Sequence, residues 1–521
     1  MSFKEYFFKI ICLSHLMIVS SFTIEFPSEG KLKVLYNSLD PNSISQHLAY
    51  YELYQGTPLA QQALNDAWSL LTGNNACNIN VTKKIPLSLS FIHSLISLVN
   101  KSTTDELMTF DQESLDTFEK LSRSLSHSQL KGHYVWSEEE VLQLPLEQID
   151  LARGLLISQF GNDRNRIQSY EAVIDLMALQ ILARLPKNAS DLEKIYAINT
   201  YIFEEIGFRF PPHSLLSAAV DSYSFLPSVI DSRKGVCLGV SILYLCIAQR
   251  MQLPLEMITP PGHIYVRYRK GDHLINIETT ARGIHLDCKH YLSVNTCSLQ
   301  LRTIREVIGM VHFNQSSIYW QRESYPEVVQ SYRKAILYMD NDPLLKELLG
   351  YALIIIGEKN EGEYFLKQIQ NHKPAHFLTK SSMVEDYFNG KMDAEGFKVI
   401  FSKEEEDRNS QLKRKERLEN ILKNHPYFRA GILSLAMCWM KLHRTGEALN
   451  NLERYLQIDK TDPEIYYYYA ILNLMRYNYP KAWMGLKQAE SLTKMHSYEA
   501  EELKDLRREL LRICPEYIET Y

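Results

Sequence analysis

The reading turns on residues 233–250, RKGVCLGVSILYLCIAQR, and 253–283, LPLEMITPPGHIYVRYRKGDHLINIETTARG. Together they predict a turn, a buried helix and a hairpin. From Leu238 to Met251 the residues are mostly apolar on all sides, the pattern of a helix enclosed by its neighbours. Gly235 supplies a permissive backbone just before Cys237. Cys237 then stands at the helix N-terminus, where the macrodipole favours a thiolate.

The hairpin follows by arithmetic. HIYVRYRK alternates, with His263, Tyr265, Arg267 and Arg269 on one face, and HLINIETT puts Leu274, Asn276, Glu278 and Thr280 on one face. With Gly271 and Asp272 as a two-residue turn, Lys270 pairs with His273 and opposed residue numbers sum to 543. His263 then opposes Thr280, and Tyr265 opposes Glu278. His263 and Glu278 become diagonal neighbours on one face, roughly 7–8 Å apart at the backbone. A glutamate side chain spans that gap and accepts a hydrogen bond from the imidazole. His273 falls on the opposite register and is set aside.

A cysteine at a helix start, with a His/Glu pair converging from a downstream hairpin, suits acyl transfer. Cys237 attacks a carboxamide or peptide carbonyl, His263 moves the proton, and Glu278 fixes the imidazole tautomer. The backbone N–H of Cys237 is the expected oxyanion donor. Water as acceptor gives hydrolysis or deamidation, and an amine gives cross-linking. Arg267 and Asn276 share the face and are weaker candidates for orienting substrate, solvation being the plainer reading. Cys246, on the same helix, reads as inert packing.

At GVCLG, PGHIYVR and NIETTARG, after a helical stretch ending in YIFEEIGFRF, the sequence resembles the transglutaminase-like superfamily of papain-type folds. It looks closest to the bacterial branch named after the SirB1 protein, over about residues 165–310. The resemblance implies an α+β papain/transglutaminase-like core, flanked by helical segments and followed in many members by tetratricopeptide (TPR) repeats. Glu278 stands where the superfamily more often has aspartate.

The C-terminal third carries a repeat of its own. Ala436 to Ala470, Ala448 to Ala482 and Leu452 to Leu486 are each a step of 34, the TPR period, one helix pair per unit. Tyr332, Ala335, Leu349, Gly350, Leu366 and Ile369 fit a second series. Residues 371–427 are less regular, and KEEEDRNSQLKRKER reads as a solvated helix face or connector because both signs alternate. Such an all-α solenoid binds a protein or peptide on its concave face.

The rest of the chain bounds these readings. At 521 residues, 45% hydrophobic and 23% charged, it is a folded protein of several domains. Its net charge of −5 gives no reason to expect nucleic acid or a membrane surface. Eight cysteines without CxxC spacing are neither a disulfide framework nor a zinc site, and Cys288 and Cys297 read as thiols. His285, His290 and Cys288 have a metal-like look without a fourth ligand, and read as ordinary loop residues. His213 is a spare histidine near the site, read as a loop residue in solvent. No metal or cofactor is implied.

Lys4 and Lys9 ahead of the apolar run Ile10–Val19 give residues 1–22 the character of a signal peptide, with a buried N-terminal helix as the alternative. Export to the periplasm or outside follows from the first reading, a cytoplasmic place from the second. The expected order is that leader, a helical N-terminal region over 31–160, the transglutaminase-like domain over 165–310, and repeats over 325–510, joined near 311–324. The function expected is cysteine-dependent acyl transfer on a protein or peptide recruited by the repeats. The competing reading is a catalytically inactive scaffold that keeps the fold for its shape.

Overall fold

In the computed structural model the described residues are 27–73, 88–100, 103, 110–211, 223–402 and 407–515. Residues 1–22 and His213 lie outside them. The described residues divide into a smaller unit, within 1–101, 111–121 and 179–187, and a larger one, within 102–110, 122–178 and 188–521. The region expected at 31–160 is helical but is shared between the two.

The smaller unit is built on capped helices. Ser43 accepts from the amide of Gln46 to start Ile44–Leu53, and Thr57 accepts from Ala60 to start Pro58–Leu71, with Pro58 in the first turn where its missing N–H costs nothing. Tyr50 packs on Ala60 and Ala63 between these helices.

The larger unit holds the helix Cys237–Arg250 against an antiparallel sheet. The strands are β1 (Leu255–Thr259), β2 (Tyr265–Lys270), β3 (His273–Ile277) and β4 (Gln300–Arg302), in the order β3-β2-β1-β4. The hairpin register is the one the sequence gives by arithmetic, from Lys270↔His273 to Val266↔Ile277. Gly271 takes φ +58, as a two-residue turn with glycine first requires. The ladder stops sooner than expected, because the Glu278 side chain caps a 3-10 turn over Thr279–Ala281 and the chain leaves the sheet. Glu256 is in β1 opposite Arg267 and lies 3.6 Å from Arg269.

Helix pairs follow. Thr303 and Glu306 form a capping box that opens Ile304–Gln321, so the joint expected near 311–324 falls largely inside a helix whose Val307, Ile308 and Val311 are buried. The pairs Arg429–Lys441 with Thr445–Ile458 and Pro463–Met475 with Tyr479–Met495 keep the 34-residue step, and so do Tyr325–Tyr338 and Lys359–Ile369 in the earlier series. Ala436, Ala470, Ala448, Ala482, Leu452 and Leu486 are all fully buried. Gly350 and Gly362 face one another so closely that a Cβ on Gly362 would meet the Gly350 carbonyl oxygen at 2.7 Å. The charged stretch after residue 407 forms the helix Arg408–Asn424, which buries Arg414, Leu418, Ile421 and Leu422 on one side.

The repeats return to the core. Val294, in the loop before β4, belongs to the apolar cluster of the last helix pair and its cap, with Trp483, Leu486, Leu503 and Leu510. Glu502 accepts from the amide of Val294 at 2.7 Å, and the Tyr498 hydroxyl donates to the carbonyls of Ser293 and Thr296. From the other side, the Cys297 amide donates to the carbonyl of His376, and that of Leu378 to Asn295. The loop 293–298 is thus held between two repeat connections.

Candidate active site

Cys237 is the first residue of its helix, and Val236, the cap position, offers no side-chain bond to the first-turn amides. Those amides remain available to an anion. From Leu238 to Ala248 every residue is buried, whereas Cys237 is half-exposed. Gly235 is needed for space and not for a left-handed backbone, since a Cβ there would meet the Val240 side chain at 2.6 Å. Gly239 is tighter still, with the Tyr223 carbonyl oxygen 2.2 Å from where its Cβ would be. The hydroxyl of Ser241, one turn on from Cys237, is 2.9 Å from that of Thr279, tying the helix to the turn after Glu278.

Nε2 of His263 donates to Oε2 of Glu278 at 2.7 Å. His263 stands just before β2, half-buried, and the Cys237 side chain is near enough to act on its charge. Burial alone would lower its pKa, but interaction with Cys237 and the hydrogen bond and charge of Glu278 push it up to about 9. Glu278 is 4% exposed. Burial would raise its pKa, but hydrogen bonds from His263, Thr280 and Tyr291 hold the carboxylate down at about 2. Thr280 donates twice to Oε1, through its amide at 3.1 Å and its hydroxyl at 2.6 Å.

Tyr291 is the member of the site that sequence reasoning missed. Its hydroxyl donates to Oε2 of Glu278 at 2.5 Å, and its ring stacks on His263 at 5.6 Å and on Tyr265 at 4.8 Å. It comes from a 3-10 turn, Cys288–Tyr291, without hydrophobic period or motif. Only its place in space identifies it. Arg267 and Asn276 lie deeper: Nε of Arg267 donates to Oδ1 of Asn276 at 2.9 Å, its NH2 to the Tyr265 hydroxyl, and Asn276 to the Leu286 carbonyl. Both are buried and committed to each other, which makes them a brace under the site and takes them away from a substrate. His285 accepts from the Asn276 amide at 3.0 Å and Cys288 bonds Asp287, so the metal-like trio does not converge. Cys288 and Cys297 are both free thiols.

The pair gives the fold a pH dependence. With the folded pKa of His263 above its ordinary 6.5, its stabilisation is complete below 6.5 and is lost as pH rises through about 9. Glu278 contributes fully above its ordinary 4.5 and loses its contribution as pH falls through about 2. The expected result is that His263→Ala costs most stability near pH 6, and that its deficit against wild type shrinks by pH 9. Urea titrations at the two pH values check it.

Residues 168–313 match the family model described as transglutaminase-like superfamily. That span holds Cys237, His263, Glu278 and Tyr291. Among curated proteins, a UPF0162 protein of Xylella fastidiosa is 27% identical over 101 residues, 18% of this chain and 33% of its own. A UPF0162 protein of Pseudomonas aeruginosa is 27% identical over 124 residues, 23% and 43% of the two chains. The chain thus spans less than half the length of either relative. Among solved structures, a thermophilic TPR protein of Thermus thermophilus is 14% identical over 39% of this chain and 100% of that one, with a TM-score of 0.22. The TPR domain of P58(IPK) is 10% identical over 91% and 99%, with a TM-score of 0.21. At such scores the superpositions add nothing to the repeat geometry above. Among the described residues, no helix is long and apolar enough to cross a membrane.

Proposed function

We propose that the transglutaminase-like region carries out cysteine-dependent acyl transfer on a protein or peptide, with the helical repeats recruiting it. One observation supports this reading above the others: His263, whose charge the Cys237 side chain favours, is hydrogen-bonded to a buried carboxylate that is itself held by four hydrogen bonds. A merely structural histidine has no need of a thiol at a helix start on one side and an oriented carboxylate on the other. Cys237 attacks the carbonyl carbon, His263 carries the thiol proton to the leaving amine, and the resulting thioester is resolved by water or by a second amine. The first-turn amides face the developing oxyanion.

The experiment is trapping of that thioester. Full-length protein incubated with a glutamine-containing peptide library and quenched in acid should carry acyl adducts on Cys237, and none in Cys237→Ala or His263→Ala. Ammonia released in the same reactions separates amide chemistry from peptide cleavage. An unmodified Cys237 across the library, with no product formed, leaves the scaffold reading in its place. A truncation at residue 320 is not a suitable partner-binding control, because it cuts the helix Ile304–Gln321 and removes the cluster that holds Val294. The SirB1-like assignment and export through residues 1–22 belong to this same proposal. N-terminal sequencing of protein from its native host tests the second, and an intact Met1 on cytoplasmic protein would end it.

A further inference from the structure

A second cluster of reactive side chains lies behind the far end of the Cys237 helix. His127 and His133 come from two successive 3-10 turns, Ser126–Gln129 and Lys131–Tyr134, and Asp150 caps the helix Leu151–Phe160. One nitrogen of each histidine and one oxygen of Asp150 lie within 4.8 Å of one another. The three residues are 0%, 3% and 1% exposed.

The spacing is what asks for a ligand. His133 Nδ1 is 3.5 Å from Asp150 Oδ2, and His127 Nε2 is 3.4 Å from Asp175 Oδ1. Both exceed the 2.7–3.2 Å or so of a good N–H···O hydrogen bond. Neither ring nitrogen of His127 has a hydrogen-bond partner, nor does Oδ2 of Asp150. Buried polar atoms in native cores are rarely left so. Donor atoms around a four-coordinate ion with bonds of about 2.0–2.1 Å lie about 3.4 Å apart, so a pair at the 4.8 Å limit needs to close by about 1.4 Å.

We propose that His127, His133 and Asp150 form a structural site for a divalent ion of the zinc class, with water completing the coordination. Two imidazoles and a carboxylate are a donor set that suits such an ion. The outer contacts fit as well. Oδ1 of Asp150 accepts from the amides of Ala152 and Arg153 at 3.1 and 3.4 Å, which aims Oδ2 inward. Asp175 faces His127 as an outer carboxylate faces a metal-bound imidazole. Arg250 is the group that opposes an ion, 4.0 Å from Asp150, but its guanidinium is engaged by Asp175. Counting the Arg153–Glu171 pair, three carboxylates face two guanidiniums in a sealed space, and a cation supplies the missing positive charge. Since Arg250 ends the Cys237 helix, the ion pins that helix from behind. The site stands or falls independently of acyl transfer.

The test is metal content. Full-length protein made in zinc-supplemented medium and exhaustively dialysed should hold about one equivalent by mass spectrometry, and cobalt in its place should give visible d–d absorption. His127→Gln and His133→Gln should each lower the content at least about tenfold, while His312→Gln, at a buried histidine elsewhere, should leave it unchanged. Circular dichroism identifies the variants that fold. If none folds, wild type refolded from urea with zinc should have a higher midpoint than with chelator, and equal midpoints overturn the proposal. So does wild type that binds only traces of zinc and cobalt, or a folded double variant that keeps a full equivalent.

Discussion

At pH 6, iodoacetamide should alkylate Cys237 on the order of tenfold faster than Cys288, and His263→Ala should erase the difference. Both thiols are half-exposed, so access is comparable. An ordinary thiol with a pKa of about 8.5 is only about 0.3% thiolate at pH 6. Burial, and then the Asp287 carboxylate, push the Cys288 thiol up from its ordinary value, which leaves it slower still. His263, its pKa pushed up to about 9, is a cation at pH 6, and the Cys237 side chain is among the groups that favour its charge. A neighbouring cation raises the reactivity of a thiol, and the lower nucleophilicity of a more acidic thiol gives back part of that gain. Glu278→Gln removes the carboxylate charge but keeps the side-chain length, so the advantage should fall by about two- to threefold without being lost. Glu278→Asp should be milder, because the charge survives on a shorter arm. Mass mapping of quenched time courses reads every cysteine at once. If Cys237 in the folded protein reacts no faster than Cys288, the sulfur and the ring do not act together, and the scaffold reading takes over.

Most of that site was legible in the residues, because the rules that place it are local. Period-two alternation and a two-residue turn fix a hairpin register without any tertiary knowledge, and the ladder from Val266 to Lys270 keeps it. The same locality explains the 34-residue step of the small repeat residues. What escaped depends on pairs distant in sequence. β1 and β4 join the sheet 41 to 45 residues apart, from runs too short to show alternation. Tyr291 reaches Glu278 through a 3-10 turn, where spacing carries no facing information. Arg267 and Asn276 sit on the expected face, but alternation cannot tell an inner layer from an outer one. The cluster of His127, His133 and Asp150 draws on two turns and a helix cap, none of which shows a metal-ligand spacing. Val294 is a single valine in a polar loop, and nothing before it announces that it enters a repeat.

That valine makes Trp483→Ala a test of both halves of the molecule. Trp483 is fully buried, its Nε1 donates to the Cys514 carbonyl at 3.2 Å, and it shares a cluster with Val294, Ala470, Leu486, Leu503 and Leu510. Truncation to alanine should lower stability by about 3–5 kcal/mol, measured by urea unfolding of the full chain. Phe397→Ala, at a fully buried ring stacked on Tyr351 at 4.1 Å elsewhere in the repeats, should cost a similar amount. The two should differ at the site. Trp483 supports the cluster that seats Val294, and three residues before Val294 the chain supplies Tyr291, which stacks on His263 and donates to Glu278. Loosening that seat releases one of the four hydrogen bonds on the carboxylate, so Trp483→Ala should slow Cys237 alkylation at pH 6 by about two- to fivefold at temperatures where the variant is still folded. Phe397→Ala, at a ring packed on Tyr351 and Tyr387, should leave that rate as in wild type. Equal rates in the two variants would mean that the repeats hold the loop without passing anything on to the cysteine.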